Sequence, residues 1–385
     1  MSQRLKVMTI LGTRPEIIRL ASVMSALERF THHVLVHTGQ NYDYELNQIF
    51  FDELEVREPD YFLGVDTSTL GKTLGEILIK TEEVLLKEQP DAVLVLGDTN
   101  SAIALLMAKR MKIPTYHMEA GNRSFDANVP EENNRKMVDH LADFNLVYTE
   151  HARRHLLSEG LLHRFIYLTG SPMREVLENK LEQIQASTVL ERLELKKKKF
   201  FIVSVHREEN VDSRDNLEKV MQCLLVLHEK YGYPVVVSTH PRTRNRLEAL
   251  DVDLAGADIR FLKPFGFFDY NKLQVESFCA ISDSGTISEE SAILDFPAVT
   301  LRNSIERPEA LDAGSIVLTG LNPEILLQSV EIVISESALF AEREIPEEYQ
   351  VRNTSLRVLK LITGTAKLTA RWRNLDDFSR YDWDK

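Results

Sequence analysis

Short apolar runs rich in Val and Ile alternate along the chain with longer segments whose apolar residues recur at helical spacing. In the first half Lys6–Leu11, His33–His37, Ala92–Leu96, Pro114–Met118 and Asn145–Tyr148 read as strands. In the second half Phe200–Val205, Val235–Thr239, Ile259–Leu262, Phe278–Ser282 and Pro297–Leu301 do the same. Pro15–Phe30, Thr69–Glu88, Ser101–Met111, Asn216–Lys230 and Ile287–Leu294 read as helices between them. Strand, helix, strand at this spacing predicts an α/β fold with parallel sheets and helices on both faces. Strands that are apolar almost throughout are expected where both faces are covered.

The alternation pauses around Ser171–Lys199, which places a domain boundary near Gly170–Ser171. The run Lys196–Lys199 reads as a solvated connection to the next strand. Residues 355–385 read as a terminal helix and a polar aromatic tail holding Trp372 and Trp383. The expected domains are residues 1–170 and 171–354.

Composition narrows the function. With 385 residues, at about 150 per domain, two or three domains are expected. Hydrophobic residues at 43% and charged residues at 27% support a sizeable core and exclude wholesale disorder. The net charge of −13 disfavours nucleic-acid backbones and anionic membranes as partners, although a few arginines focused in a cleft still suit a small anion. Cys223 and Cys279 are too few for a disulfide framework or a thiolate metal site. The N-terminus lacks the pattern of a signal peptide, and no apolar run reaches the length of a membrane span. A cytoplasmic, soluble protein is the expectation.

The polar residues capable of chemistry follow the ends of the predicted strands. Gly12-Thr13-Arg14-Pro15-Glu16 follows the first, and Gly97-Asp98-Thr99-Asn100 follows Ala92–Leu96. His117-Met118-Glu119-Ala120-Gly121 ends another. His206-Arg207-Glu208, His240-Pro241 and Asp283-Ser284-Gly285-Thr286 occupy the same station in the second half. In open parallel sheets the carboxyl ends of strands open onto the ligand crevice. Two such sheets facing each other would line one cleft from both sides.

Read singly, most of these motifs stay open. The Gly12–Glu16 turn suits an oxyanion at a helix start, with Arg14 as a forked donor, or is an ordinary strand-to-helix turn. Asp283–Thr286 is a phosphate or ribose cradle, or a helix cap with acidic first-turn residues. Arg307 in Ile305-Glu306-Arg307-Pro308-Glu309 clamps a pyrophosphate or pairs with a glutamate. His206 and His240 are acid/base groups, phosphate donors or structural histidines. Glu131, before a helix, is a reactive carboxylate or a favourable charge at the helix start. Asp251-Val252-Asp253 reads as a surface loop, and His151–His155 with Arg153 and Arg154 as a solvated helix face. Neither a dinucleotide nor a Walker-type glycine fingerprint occurs.

Taken together, G-T-R-P-E near the start, G-D-T near 98, H-x-E-A-G near 119, P-E-E-x-N-R near 131, S-x-H-R-E-E-N near 206, D-S-G with E-E near 283 and E-R-P-E near 307 resemble the non-hydrolysing UDP-sugar 2-epimerases. The motifs run in that family's order across almost the whole chain. The resemblance implies two Rossmann-like domains facing a cleft, as in the B-type glycosyltransferases, with the C-terminal helix crossing back onto the first. It also implies a homodimer, a UDP-sugar substrate, and neither a metal nor a nicotinamide cofactor. Matching positions imply Asp98, Glu119 and Glu131 as carboxylates serving C2. They imply Arg14, His206, Ser284 and Arg307 as donors to the diphosphate, His206 counting among the catalytic residues, with Arg19, His240 and Gly285 also binding substrate. Tyr270 and Glu290 match positions that hold uracil and ribose. Asp98 and Glu131 are expected to handle protons while Glu119 positions them.

Several positions depart from the family prototype. Asn41-Tyr42-Asp43-Tyr44-Glu45-Leu46, Gly121-Asn122-Arg123-Ser124-Phe125, Arg19 and Thr286 resemble the branch that converts UDP-2-acetamido-2,6-dideoxy-L-talose to UDP-N-acetyl-L-fucosamine for capsule or O-antigen. Tyr42, Tyr44 and the Asn122–Val129 loop are therefore expected to select the sugar. A UDP-N-acetylglucosamine 2-epimerase, a two-domain glycosyltransferase and a non-catalytic UDP-sugar sensor are the competing readings.

Overall fold

The computed structural model describes residues 4–40, 44–126, 129–239, 241–248, 256–339 and 345–372. The chain forms two compact units. One comprises the residues up to Val176 together with those from Val351 onward, and the other is Leu177–Gln350.

The first unit holds a seven-stranded parallel sheet in the order β3-β2-β1-β4-β5-β6-β7. Its strands are β1 Lys6–Leu11, β2 His32–His37, β3 Tyr61–Phe62, β4 Ala92–Leu96, β5 Thr115–Met118, β6 Phe144–Val147 and β7 Ile166–Leu168. Every residue of β4 is buried, because helices cover both faces of the sheet. The helix Arg14–Phe30 shows how they do so: Ile17, Leu20, Val23, Met24 and Leu27 recur at helical spacing and are all buried.

The second unit holds a six-stranded parallel sheet in the order β10-β9-β8-β11-β12-β13. Its strands are β8 Phe201–Ser204, β9 Val235–Ser238, β10 Ile259–Leu262, β11 Cys279–Ser282, β12 Ala298–Thr300 and β13 Val317–Leu318. Phe201, Val203, Val235, Val237, Ile281 and Val299 lie together in one of its buried clusters. The Lys196–Lys199 run is exposed ahead of β8, as expected.

Each sheet is doubly wound. The first grows outward from β1 to β3 and then resumes with β4 on the other side of β1. The second does the same at β8 and β11. Each unit therefore has its own switch point, where neighbouring loops diverge and leave a crevice at the carboxyl ends of the strands.

After Gln350 the chain returns to the first unit, where the helix Thr354–Thr365 packs on Arg14–Phe30. The Thr354 hydroxyl donates to the carbonyls of Thr169 (3.2 Å) and Ser171 (3.1 Å). The hydroxyls of Tyr116 and Thr365 meet at 2.7 Å. A Cβ on Gly170 would lie 2.7 Å from Val351, so only glycine fits at that crossing. Trp372, expected in a polar tail, instead meets Phe144 at 6.3 Å with the Arg164 guanidinium 4.5 Å over its ring. Among the described residues no helix is long and apolar enough to cross a membrane.

Candidate active site

At the switch point of the first unit, Gly12 follows β1. A Cβ there would fall 2.0 Å from the Thr38 hydroxyl oxygen and 2.2 Å from that of Ser101, so the loop requires glycine. Arg14 opens the next helix, its guanidinium 5.3 Å over the Phe50 ring. Glu16, three residues into the chain from Thr13, is buried and accepts from Gly12 N (3.0 Å) and the Thr13 hydroxyl (2.8 Å). It also accepts from the Thr99 hydroxyl (3.1 Å) in the loop after β4.

Burial outweighs those hydrogen bonds and pushes the Glu16 carboxyl up to about 7 from an ordinary 4.5. The native state thus keeps a proton that the unfolded chain loses between those values. Stability is expected to fall as pH rises across that window, by roughly 3 kcal/mol for this one group. Urea unfolding of Glu16→Gln should show a smaller loss between about pH 5 and about pH 8 than the parent protein, and an equal loss would contradict this.

Asp98 lies in the loop after β4, with 22% of its side chain exposed. Its backbone carbonyl accepts from Asn134 Nδ2 (3.0 Å), and its carboxylate pairs with Arg135 Nη2. Glu119 follows β5 in a left-handed conformation (φ 60°). A non-glycine residue held there costs about 1–3 kcal/mol, and such strain concentrates at functional sites. Its carboxylate pairs with Arg19 Nη1, and its backbone carbonyl accepts from Arg135 Nη1 at 2.5 Å. Arg135 Nη2 also lies 3.7 Å from Glu119 Oε1. One buried guanidinium thus joins Asp98 to Glu119. Arg19 is itself buried and packs 6.0 Å from the Tyr148 ring. Glu131 is exposed in the first turn of the helix Pro130–Leu141, one turn ahead of Arg135 on the same face.

The cluster rests on a buried support. His117 Nε2 donates to the Gly97 carbonyl (2.7 Å), and Nδ1 lies 2.9 Å from Asp139 Oδ1. Burial pushes the Asp139 carboxyl upward, but His117, Arg123 and Arg135 overcome it and hold the group below the usual carboxylate range. Arg123 Nη1 meets Asp139 at 2.7 Å, and its other end grips Glu159 through two hydrogen bonds. His155 was expected on a solvated face; instead it donates to the Gly121 carbonyl (3.0 Å) and meets Phe125 edge-on.

At the switch point of the second unit, Asp283 is fully buried after β11. It accepts from the backbone nitrogens of His206 (3.1 Å) and Arg207 (2.9 Å) and from Asn210 Nδ2 (3.0 Å). It clamps the loop after β8 and does not cap the following helix, whose first turn begins after Thr286. His206 Nδ1 lies 3.3 Å from Asp283 Oδ1, and 41% of its side chain stays exposed. Ser284 Oγ meets Thr286 Oγ1 at 3.0 Å.

A Cβ on Gly285 would lie 4.0 Å from Arg207 Nη2, 4.0 Å from Arg307 Nε and 3.7 Å from Glu306 Oε2. Two guanidinium groups therefore converge on this turn. Arg307 is buried and pairs with Glu289 Oε1 at 2.6 Å, and Arg302 holds Glu306 through two bonds of 2.7 and 2.8 Å. Burial raises the Glu309 carboxyl, which accepts from the Tyr349 hydroxyl at 2.7 Å. Glu290 accepts from Gln274 Nε2 (2.7 Å), one turn from Tyr270 on the helix Phe267–Glu276.

The structure thus brings Asp98 and Glu119 together, and gathers His206, Ser284, Gly285 and Arg307 around one turn of the second unit. Glu290 sits against the helix that carries Tyr270. His240, Tyr42 and Asp251–Asp253 lie outside the described residues. Arg135, the last residue of P-E-E-x-N-R, is given no role by the sequence, although the motif and its spacing one helical turn after Glu131 both mark it. Among the described residues no group of three His, Cys, Asp or Glu side chains is arranged to hold a metal ion.

Buried arginine–carboxylate pairs lie at the switch point of each doubly wound sheet, where α/β enzymes place their ligand crevices. The family model described as UDP-N-acetylglucosamine 2-epimerase matches residues 25–363, and the chain belongs to that family. It is an isomerase, a non-hydrolysing UDP-sugar 2-epimerase.

The structure of a UDP-N-acetylglucosamine 2-epimerase from Rickettsia bellii is similar at a TM-score of 0.90, with 45% identity, covering 96% of this chain and 99% of that one. The Methanocaldococcus jannaschii UDP-GlcNAc 2-epimerase in complex with UDP-GlcNAc and UDP is similar at 0.87, with 34% identity, covering 94% of this chain and all of that one. A UDP-2,3-diacetamido-2,3-dideoxy-D-glucuronate 2-epimerase from Pseudomonas aeruginosa is 32% identical over 86% of this chain and 93% of its own length.

Proposed function

We propose that the enzyme inverts C2 of its UDP-2-acetamido sugar by eliminating UDP and adding it back. The C2–H bond has no adjacent carbonyl to acidify it. A carboxylate takes the C2 proton while the C1–O bond breaks, and both electrons of that bond leave with the UDP oxygen. An unsaturated 2-acetamido sugar remains. The diphosphate oxygen then re-forms the bond to C1 while C2 receives a proton on its other face.

The single observation that carries this reading is the joining of Asp98 and Glu119 through Arg135 at the mouth of the first sheet. Asp98 and Glu131 handle the two protons, and Glu119 orients Asp98 through Arg135. A positioned acid or base contributes about 10²–10⁴-fold. Arg14, His206, Ser284, Gly285 and Arg307 hold the diphosphate as its charge develops, which in preorganised sites is a large catalytic contribution. Arg19 fixes Glu119. Tyr270 and Glu290 hold uracil and ribose, and His240 adds a donor. No resident cofactor takes part. The enzyme works as a homodimer in the cytoplasm.

The sugar is UDP-2-acetamido-2,6-dideoxy-L-talose, converted to UDP-N-acetyl-L-fucosamine. Phe125 supports this: it follows the Glu119–Gly121 turn, is 74% exposed and has φ 56°, presenting an apolar ring suited to a methyl group at C6. The names of the relatives favour a second reading, the UDP-GlcNAc/UDP-ManNAc pair. Incubating the enzyme with each UDP-sugar in deuterated water and following the products by NMR tests both. Deuterium at C2 and faster conversion of the 6-deoxy sugar are expected. Faster conversion of UDP-GlcNAc would select the second reading, and C2 retaining its hydrogen during epimerisation would refute the mechanism.

A further inference from the structure

Glu16 takes no part in the mechanism above, yet it is only 1% exposed and its two carboxylate oxygens reach the loops of two different strands. Oε2 accepts from Gly12 N and the Thr13 hydroxyl, both after β1. Oε1 accepts from the Thr99 hydroxyl, after β4. A glutamate in the first turn of a helix commonly reaches back to the helix start. That habit accounts for the first two bonds and not for the third. Thr99 Oγ1 already accepts from Ser101 N (3.2 Å), which directs the hydroxyl hydrogen to Glu16.

The strands β1 and β4 are the neighbours at which the sheet order reverses. The carboxylate therefore crosses the switch point. The residue after Thr13 is Arg14, and the residue before Thr99 is Asp98.

We propose that Glu16 is a positioning residue for epimerisation, a strut that holds the Arg14 loop and the Asp98 loop in register. This rests on the roles given to Arg14 and Asp98 above. A carboxylate can accept from all three donors at once. A glutamine offers one oxygen and turns an NH2 group toward donors at one of the two loops, so one side of the strut is lost. A misplacement of about 1 Å between reacting groups costs on the order of 10²-fold in rate. Burial pushes the carboxyl up to about 7, so above that pH, with the proton gone, both oxygens are free to accept and the strut is complete.

Glu16→Gln, Thr99→Val and the double variant test the strut. Glu16→Gln is expected to lower kcat about 10²-fold with KM within about threefold. Thr99→Val cuts the bridge along with the local bond from Ser101 N and is expected to lower kcat about tenfold, and the double variant should be little worse than Glu16→Gln, because both remove the same connection. Hydrogen exchange read by mass spectrometry over the two loops should speed up across the strut, at Gly12 in Thr99→Val and at Ser101 in Glu16→Gln. Full kcat in both single variants, additive losses, or unchanged exchange at Gly12 in Thr99→Val would overturn the proposal. A parent enzyme inactive on every UDP-2-acetamido sugar would sink the functional reading, and the exchange measurement would still decide the strut.

Discussion

Asp98→Asn is expected to lower epimerisation by about 10³-fold while leaving the UDP dissociation constant within about twofold. The substitution is nearly isosteric. Asparagine still offers an oxygen to Arg135 Nη2, and the backbone bond from Asn134 to the residue 98 carbonyl is unaffected. What disappears is the ability to take a proton from C2. Isothermal titration with UDP and an NMR turnover assay separate the two effects. Parent-level turnover in the variant would remove Asp98 from the mechanism. Loss of UDP binding in step with turnover would make it a structural residue.

Arg307→Gln is expected to lower kcat/KM by about 10²–10³-fold, the scale seen when one preorganised donor to developing charge is removed. It should also destabilise the protein by roughly 3–5 kcal/mol, since Glu289 is fully buried and would lose its cation at 2.6 Å. The two effects can be pulled apart. Glu289→Gln in the same background removes the stranded charge and should restore part of the stability without restoring activity. Recovery of activity along with stability would show that Arg307 serves packing and not the diphosphate.

The sheets were legible because buried parallel strands are apolar throughout. Lys6–Leu11 and Ala92–Leu96 match the expected runs end to end. Tyr61–Phe62, Ile166–Leu168 and Val317–Leu318 were not foreseen. All three are sheet-edge strands of two or three residues, too short to establish a period. Ser101–Met111 was read as one helix, but its start is a 3₁₀ turn over Asn100–Ala104 that leads into Leu105–Arg110.

The site was legible in part for the same reason: polar residues at the ends of apolar strands stand out, as Asp98 and Glu119 do. Their partners did not stand out. Arg135 has the spacing of a surface ion pair with Glu131, and Glu16 that of an ordinary first-turn acid. Asp283 was read as a helix cap or a cradle, whereas its carboxylate serves His206, Arg207 and Asn210, more than 70 residues away in sequence. Local pattern carries no trace of such contacts, because the sheet order alone decides which loops become neighbours.

The central claim is that UDP leaves C1 and returns during each inversion of C2. Substrate labelled with ¹⁸O in the bridge between C1 and the β-phosphorus tests it most directly. If the C1–O bond opens, the freed β-phosphate can turn before re-adding, and the account predicts that label spreads into its non-bridging positions as C2 epimerises. Label confined to the bridge through complete C2 inversion would contradict it.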